Sequence, residues 1–324
     1  MLEIFLQNFT SPIVLFFILG AFAGILKSDL AVPDSMGRYL SIYVMMSIGF
    51  TGGVQVSYIE NFTYQILSTI ILAISLSFTL PFLAYLLINK TTNLDKPTAA
   101  ALAAHYGSVS IVTFAAAINF LILNNDTYSG YMSSILALME APAIVSGLYI
   151  AHVYAPETNI HPKEQAKLAY EIFANGAVLL ILGSFLIGII SGKAGLQKVA
   201  PFLVDPFQGI LCIFMLDMGL IVTKNIQNLQ KITWSLILYG IYMPLINSLI
   251  GLFAAYLIGL SKPDALLFMA LMASSSYIAV PAAMKLALPE AKESIYLPIS
   301  LGVTFPFNIT IGIPIYYIIS KIIL

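Results

Sequence analysis

Long apolar runs alternate with short polar connections along the whole chain. Ten such runs can be recognised, and each is about as long as a helix needs to be to cross a bilayer, roughly 20 residues. They cover residues 10–26, 39–57, 65–89, 97–122, 130–153, 170–192, 203–225, 232–260, 262–286 and 293–321. Outer-membrane strands would be about half as long and would alternate in polarity. The pattern predicts an all-α integral membrane protein whose ten transmembrane helices cross the lipid bilayer.

Composition supports this class and removes others. Of the 324 residues, 60% are hydrophobic and 9% charged, whereas a soluble domain carries about 25% charged residues. The net charge of −1 argues against nucleic acid as a partner. Cys212 is the single cysteine, so neither an internal disulfide nor a cysteine-rich metal site is expected. The first segment contains Glu3 and no basic stretch, so we expect it to remain as a span rather than act as a signal peptide.

Two of the runs contain helix-breaking polar stretches. The ninth run reads Ala-Ser-Ser-Ser-Tyr-Ile-Ala-Val-Pro at 273–281, where serines compete for backbone hydrogen bonds and Pro281 lacks an N–H. The fourth run reads His-Tyr-Gly-Ser-Val-Ser at 105–110. There Gly107 suits a helix C-cap with positive φ, and Ser108 or Ser110 suits the next N-cap. Because irregular backbone at membrane depth persists only beside a cavity or inside protein, we expect interrupted helices 4 and 9 to form a binding site.

The chain also repeats itself. Lys-Pro opens both the fourth and the ninth run, at 96–97 and 262–263, and the same offset of 166 residues aligns 107–117 with 273–283 without a gap. Two more matches follow in order, between 18–20 and 181–183 and between 140–142 and 304–306. An odd number of spans per half makes the second half enter the membrane from the opposite side. The predicted organisation is therefore a first inverted repeat at 1–153, a short cytoplasmic connection at 154–169 and a second inverted repeat at 170–324.

Basic residues predict the orientation. Ten of the fourteen Lys and Arg residues lie in alternate connections, which the positive-inside rule places in the cytoplasm. They are Lys27, Arg38, Lys90, Lys96, Lys163, Lys167, Lys224, Lys231, Lys285 and Lys292. Both termini are then expected outside.

The two breaks have the chemistry of a small-anion site. Each half-helix N-terminus offers free N–H groups and about half a positive charge, and inverted symmetry would bring both N-termini to one space. No Lys or Arg falls in a break or in the middle of a span, so helix dipoles, hydroxyls and a bound cation must balance the anion. The predicted substrate-binding residues are Gly107, Ser108, Ser110, Ser274, Ser275 and Ser276.

A sodium site is predicted beside the anion site, because unwound carbonyls, hydroxyls and a carboxylate together suit that ion. Glu140 lies deep in the fifth run, before Pro142, and an ionisable residue at that depth usually has a function. The predicted sodium ligands are Glu140, Ser108, Thr113, Ser276, Thr304 and Asn308. Glu140 as a hydrogen-bonded structural residue is the alternative. Asp217 is a second candidate carboxylate, with pairing to a hydroxyl or a subunit contact as its alternative.

Two further features have simpler interpretations. Thr-Gly-Gly at 51–53 suits a site wall, but small residues in membrane helices more often permit close packing, which we favour. His105 lies one turn before Ser108, the spacing of a base and a nucleophile, but no acidic group to orient the histidine is evident. A packed or pore-lining histidine is the favoured interpretation, and no enzymatic activity is expected.

With these residues in view, the chain resembles the sodium-dependent bicarbonate transporter family, the SbtA-like permeases known best from cyanobacteria. The shared patterns lie at 48–53, 107–110, 114–117, 139–143, 205–206, 214–219 and 273–276. The resemblance implies a bacterial inner-membrane symporter with a core domain that moves against a gate domain. It also implies a homotrimer, inward transport of bicarbonate with Na⁺ between the interrupted helices, and a PII-like cytoplasmic regulator.

The chain departs from the cyanobacterial pattern beside the breaks. That pattern has Gly-Ser at the positions of Ile111 and Val112, and Asp at those of Tyr277 and Glu140. It also has a longer cytoplasmic connection, so a PII-like partner is less strongly implied here. Another small anion, such as a short carboxylate, therefore remains an alternative cargo. A passive channel and an intramembrane enzyme are the alternatives from other classes.

Overall fold

The computed structural model describes residues 12–59, 61–154, 174, 176–224 and 232–324. Within that part of the chain all regular elements are helical. We number them α1 Pro12–Ile25, α2 Asp34–Ser57, α3 Tyr64–Thr91, α4 Lys96–His105, α5 Ile111–Leu123, α6 Met132–Leu138, α7 Glu140–Tyr154, α8 Gly176–Leu203, α9 Phe207–Lys224, α10 Trp234–Ile258, α11 Lys262–Ala273, α12 Ala279–Ala287 and α13 Glu293–Ile323. The last of these contains π-helical turns at Pro298–Thr304 and Asn308–Gly312.

Among the described residues, six segments are long and apolar enough to cross a membrane. They are Asp34–Ser57, Tyr64–Thr91, Met132–Val153, Val178–Leu203, Trp234–Ile258 and Glu293–Ile323. Leu15–Ile25, Ile111–Leu123 and Phe207–Ile221 are shorter apolar helices. The predicted class, an all-α membrane protein, is confirmed at this level.

Both predicted interruptions are present. The fourth run is divided into α4 and α5, and the ninth into α11 and α12. The first half-helices start alike: Asp95 caps α4 by accepting from the Thr98 N–H, and Ser261 caps α11 by accepting from the Asp264 N–H. Each has proline in its first turn, where a missing N–H costs nothing. The sequence thus sets where each half-helix begins as well as where it is interrupted.

Two expected details of the breaks are wrong. The C-cap of α4 is Tyr106, with φ −91°, and Gly107 is not among the described glycines with positive φ. Glycine is needed there for space, because a Cβ would overlap the Pro81 ring and lie 2.6 Å from the Ser77 carbonyl oxygen. Pro281 is the third residue of α12, where its N–H would have no intrahelical acceptor. The proline therefore lies in the first turn of α12, and of these residues only the serines lie in the break.

Several boundaries also differ from expectation. The predicted connection after residue 192 is helical, because α8 bends at Gly192 (φ 52°, ψ −149°) and continues to Leu203. The fifth run is divided at Met139, between α6 and α7. Lys285 was assigned to a connection but lies within α12. The predicted connection 154–169 falls outside the described residues after Tyr154.

The helices form two groups. In the first group α2 packs on α8, and α1 packs on α9. The remaining helices form the second group, in which α4 and α11 are central: every residue from Thr98 to His105 and from Asp264 to Ala273 is buried. The groups meet where α2 contacts α6 and α12, and where α9 contacts the start of α13. Both breaks therefore lie inside the second group, with the first group along one side.

Candidate functional site

The two breaks touch each other in the protein interior. The Ser276 N–H donates to the His105 carbonyl at 3.0 Å, and His105 Nδ1 donates to the Ser276 carbonyl. The Ser110 N–H donates to Ser274 Oγ at 3.0 Å. Backbone groups left free by one interrupted helix are thus satisfied by the other, as buried polar groups require. We call this contact the crossing.

The serine hydroxyls at the crossing mostly cap helix ends. Ser110 Oγ caps α5 by accepting from the Thr113 N–H at 3.2 Å. Ser276 Oγ, which lies two residues before the N-cap Ile278, accepts from the Val280 N–H in the first turn of α12 at 3.2 Å. Ser274 Oγ donates to the Leu271 carbonyl at 2.7 Å. These bonds fix both half-helix N-termini in place at the crossing.

Glu140 joins the crossing from α7. Its side chain is buried, with 2% relative exposure, and its Oε2 accepts a 2.5 Å hydrogen bond from Ser108 Oγ. No ion pair between described residues involves this carboxylate. The carbonyl of the preceding residue, Met139, accepts from Ser77 Oγ at 2.5 Å. The carboxylate is therefore the one acidic group at the crossing among the described residues, and a serine hydroxyl donates to it.

Thr304 and Asn308 support the crossing from α13. Thr304 Oγ1 donates to the Gly240 carbonyl and is bonded to Tyr106 OH, both at 2.7 Å. Asn308 Nδ2 donates at 2.8 Å to the carbonyl of Ala273, which is the last residue of α11. Both side chains are engaged with the ends of the broken helices, and neither is hydrogen-bonded to Glu140. Their predicted role as sodium ligands, like that of Thr113, stays a prediction.

The N-termini of α5 and α12 face a narrow gap. Its walls are Val109, Ser110, Ile111, Glu140, Tyr277 and Ile278, and it is too narrow to hold a water molecule. Beside it lies a cavity of about 380 Å³ that also reaches Ile111. This cavity, which we call the vestibule, has a largely apolar wall with polar groups from Ser47, Thr51, Gln55, Ser133 and Gln208. The site is thus contracted, with a vestibule of mixed polarity against it.

Residues 12–321 match the family described as the Na⁺-dependent bicarbonate transporter superfamily. The chain belongs to this superfamily. The resemblance inferred from the motifs is confirmed, and because the family consists of transporters, so is the expectation that the chain is not an enzyme. No curated protein matches the chain.

Several supporting residues of this transporter were not predicted. Asn247 Nδ2, on α10, donates to the Tyr106 carbonyl at 2.9 Å. Ser300 Oγ, on α13, donates to the Ser276 carbonyl at 2.9 Å and is bonded to Ser275 Oγ at 2.7 Å. Asn247 carried a usable signal, since an amide inside an apolar span is costly without a partner. Ser300 did not, because serine in a membrane helix commonly bonds to its own backbone.

Other predicted residues fall away from the gap. Asp217 pairs with Lys285 at 3.0 Å, a partner that neither of its sequence-based interpretations included. His105 packs against Tyr296 with ring centroids 4.9 Å apart, as favoured for a packed histidine. A Cβ at Gly52 would overlap Ala137, and one at Gly53 would overlap the Phe185 carbonyl. These glycines therefore permit close packing, as favoured, although Gly52 also lines the vestibule.

Proposed function

We propose that this transporter is a secondary active symporter that imports bicarbonate with Na⁺. The observation that carries the proposal is the meeting of a carboxylate with the N-termini of α5 and α12 at the crossing. Helix N-termini favour an anion, and a carboxylate beside serine hydroxyls favours a hard cation. A site of both kinds suits an anion that travels with a cation, and the family description supplies the identities.

The proposed site has two halves. The anion lies against the unwound backbone and hydroxyls of Gly107, Ser108, Ser110, Ser274, Ser275 and Ser276. The sodium ion takes oxygens from Glu140, Ser108, Thr113, Ser276, Thr304 and Asn308. Since no lysine or arginine side chain lies at the crossing among the described residues, the cation supplies the positive charge that the anion needs. Each ion should therefore raise the affinity for the other.

For the architecture, we propose ten transmembrane spans in two inverted repeats, at 1–153 and 170–324. Each of the pairs α4/α5 and α11/α12 then counts as one interrupted span. The two pairs begin at Lys96 and Lys262, which are separated by the same offset that aligns the two breaks. This match and the contact of the pairs at the crossing support the arrangement. The first helix group would be the gate and the second the core, which carries the site across as it moves.

The proposal extends to the cellular setting. The connections rich in Lys and Arg face the cytoplasm and both termini lie outside, in a bacterial inner membrane. The resemblance favours a homotrimer, and it implies a PII-like cytoplasmic regulator more weakly because the connection expected at 154–169 is short.

The deciding experiment is uptake of labelled bicarbonate into proteoliposomes, with and without an inward sodium gradient. We expect uptake that depends on the gradient and saturates with bicarbonate. A sodium leak that needs no bicarbonate would favour a passive channel, and turnover of lipid or peptide would favour an intramembrane enzyme. Either result would overturn the proposal.

The coupling has its own test, in which bicarbonate affinity is measured over a sodium titration at constant ionic strength. Affinity should rise with sodium, as linkage requires. Replacing Ser108, Ser110, Ser274 or Ser276 by alanine should weaken binding by about 1–3 kcal/mol, or roughly 5- to 150-fold, where the hydroxyl contacts a charge. Wild-type kinetics in all four variants, at equal membrane levels, would exclude this site.

A second cargo is favoured by one observation. Tyr277 places an aromatic ring and a hydroxyl in the wall of the gap, where the cyanobacterial pattern has a carboxylate. A short carboxylate such as formate or acetate is the alternative anion. Competition against labelled bicarbonate uptake distinguishes the two, since the true cargo should compete at the lower concentration.

A further inference from the structure

Tyr277 is a residue at the crossing whose one polar side-chain atom has no hydrogen-bond partner among the described residues. It follows the three serines of the second break, and its side chain is buried, with 1% relative exposure. Its ring packs edge-on against Phe305, with centroids 5.2 Å apart and an angle of 69° between the planes. The phenol hydroxyl has no hydrogen-bond partner among the described residues. It lies near Ser110 and in the wall of the same gap as Glu140.

Other buried tyrosines around the crossing differ in this respect. Tyr106 OH is bonded to Thr304 at 2.7 Å, and Tyr316 OH donates to Asn308 at 2.9 Å. Tyr239 OH reaches the Ala84 carbonyl at 3.4 Å. Since a buried hydroxyl without a partner is disfavoured, Tyr277 OH calls for a partner that arrives with binding. The gap is too narrow for water to fill that place.

We propose that the Tyr277 hydroxyl donates a hydrogen bond to the transported anion when the gap widens to admit it. The inference rests on the function proposed above. A neutral phenol is suited to this position, because it donates to an oxyanion without adding a second carboxylate that would repel the anion. Its ring also limits the width of the gap, which favours a small oxyanion over a bulky one.

The first test compares Tyr277→Phe with wild type. This change removes one oxygen and keeps the ring against Phe305. We expect the KM for bicarbonate to rise about tenfold, as for loss of a hydrogen bond to a charged ligand. Sodium binding measured without bicarbonate should be unchanged, because the hydroxyl contacts the anion.

The matched control is Tyr131→Phe. Tyr131 OH is also buried without a hydrogen-bond partner among the described residues, but the residue does not line the gap. Its loss should leave the KM within about twofold of wild type. An equal effect of both substitutions would attribute the change to packing, and an unchanged KM in Tyr277→Phe would also overturn the inference.

A second pair of variants keeps the test decisive if Tyr277→Phe folds poorly. Tyr277→Gln and Tyr277→Leu are similar in size, but only the glutamine provides a donor. Calorimetric titration with bicarbonate, at saturating sodium, should give tighter binding to the glutamine variant. Equal affinities would overturn the inference. Wild-type protein that binds no bicarbonate would instead overturn the proposed function, together with everything resting on it.

Discussion

The crossing and the interface between the two helix groups are built in opposite ways. At the crossing, backbone and side-chain hydrogen bonds join α4, α5, α7, α11, α12 and α13. Between the groups, the polar contact that the structure describes is a hydrogen-bonded ion pair from Lys285 Nζ on α12 to Asp217 Oδ2 on α9. Much of the rest of the interface is apolar. It encloses a cavity of about 340 Å³ between Ile48 and Phe185 of the first group and Phe78 and Pro142 of the second.

This difference indicates which part of the transporter can move. Hydrogen bonds are directional and costly to leave unmade in a buried site, so the crossing should move as one body. Apolar contacts are not directional, and an interface held by them can shift with few polar groups exposed. The contrast supports the proposed motion of the core against the gate.

The largest effect is expected for Glu140→Gln, which keeps the shape of the side chain and removes its charge. Uptake at a fixed sodium concentration should fall about 100-fold, or roughly 3 kcal/mol, because a charged ligand of the cation is lost. Folding and oligomeric state should be retained in thermal melting and size-exclusion chromatography.

The control for this change is Glu293→Gln, at the start of α13, where Glu293 Oε2 is buried without a hydrogen-bond partner among the described residues. This variant should transport with near wild-type sodium dependence. Unchanged sodium dependence in Glu140→Gln would make Glu140 a structural carboxylate, and Asp217 would become the next candidate.

The next effect is expected for Gly107→Ala, which tests how tightly the crossing is enclosed. The added methyl would overlap the Pro81 ring of α3, so the free energy of unfolding should fall by about 1–3 kcal/mol. Gly183→Ala on α8 is the control, because no heavy atom lies within 4 Å of a Cβ there. Gly107→Ala should have a lower melting temperature than Gly183→Ala. Equal melting temperatures would show that the helices around the crossing can shift to accommodate the added methyl group.

A smaller effect is expected when the interface loses its polar contact. Asp217 and Lys285 have side-chain exposures of 7% and 17%, so removing one partner by Asp217→Asn should cost about 1–2 kcal/mol, between exposed and fully buried pairs. The double variant with Lys285→Gln should cost less than the sum of the single changes, and it should still transport. Additive changes in a double-mutant cycle would show that the pair does not couple the groups.

The smallest effect is expected at the surface pair Asp95–Lys292, whose side chains are 36% and 41% exposed. Partial burial raises the pKa of Asp95, but hydrogen bonds from Lys292 and Thr98 outweigh it and leave the pKa below its ordinary value. A lowered folded-state pKa contributes stability that is present above the unfolded-state pKa, about 3.9, and is lost as the pH falls through the folded value. Asp95→Asn, which still caps α4, should cost less than about 1 kcal/mol at pH 7.

The same variant should cost nothing at a pH below the folded-state pKa, where Asp95 is protonated. Chemical denaturation at neutral and acidic pH measures the difference. A larger cost at acidic pH would contradict this sign.

The sequence by itself determined the features that depend on residues close to one another along the chain. The apolar runs predicted membrane helices, because a span needs a fixed number of apolar residues in succession. The serines at 108, 110 and 274–276 predicted both breaks, because their hydroxyls compete locally for backbone groups. Glu140 was identified as a site candidate by its depth in an apolar run, and the motifs around it indicated the family. All of these signals lie within a few residues of the feature they predict.

What only the tertiary structure decided was which groups meet. The contact of His105 with Ser276 joins residues 171 positions apart, and the need for glycine at 107 comes from Pro81 on another helix. The ion pair between Lys285 and Asp217 spans 68 positions and two helix groups. Propensity and periodicity describe one segment at a time, whereas each of these contacts depends on the relative position of two packed helices. For the same reason, the sequence could place Tyr277 in a break but could not show that its hydroxyl lacks a partner.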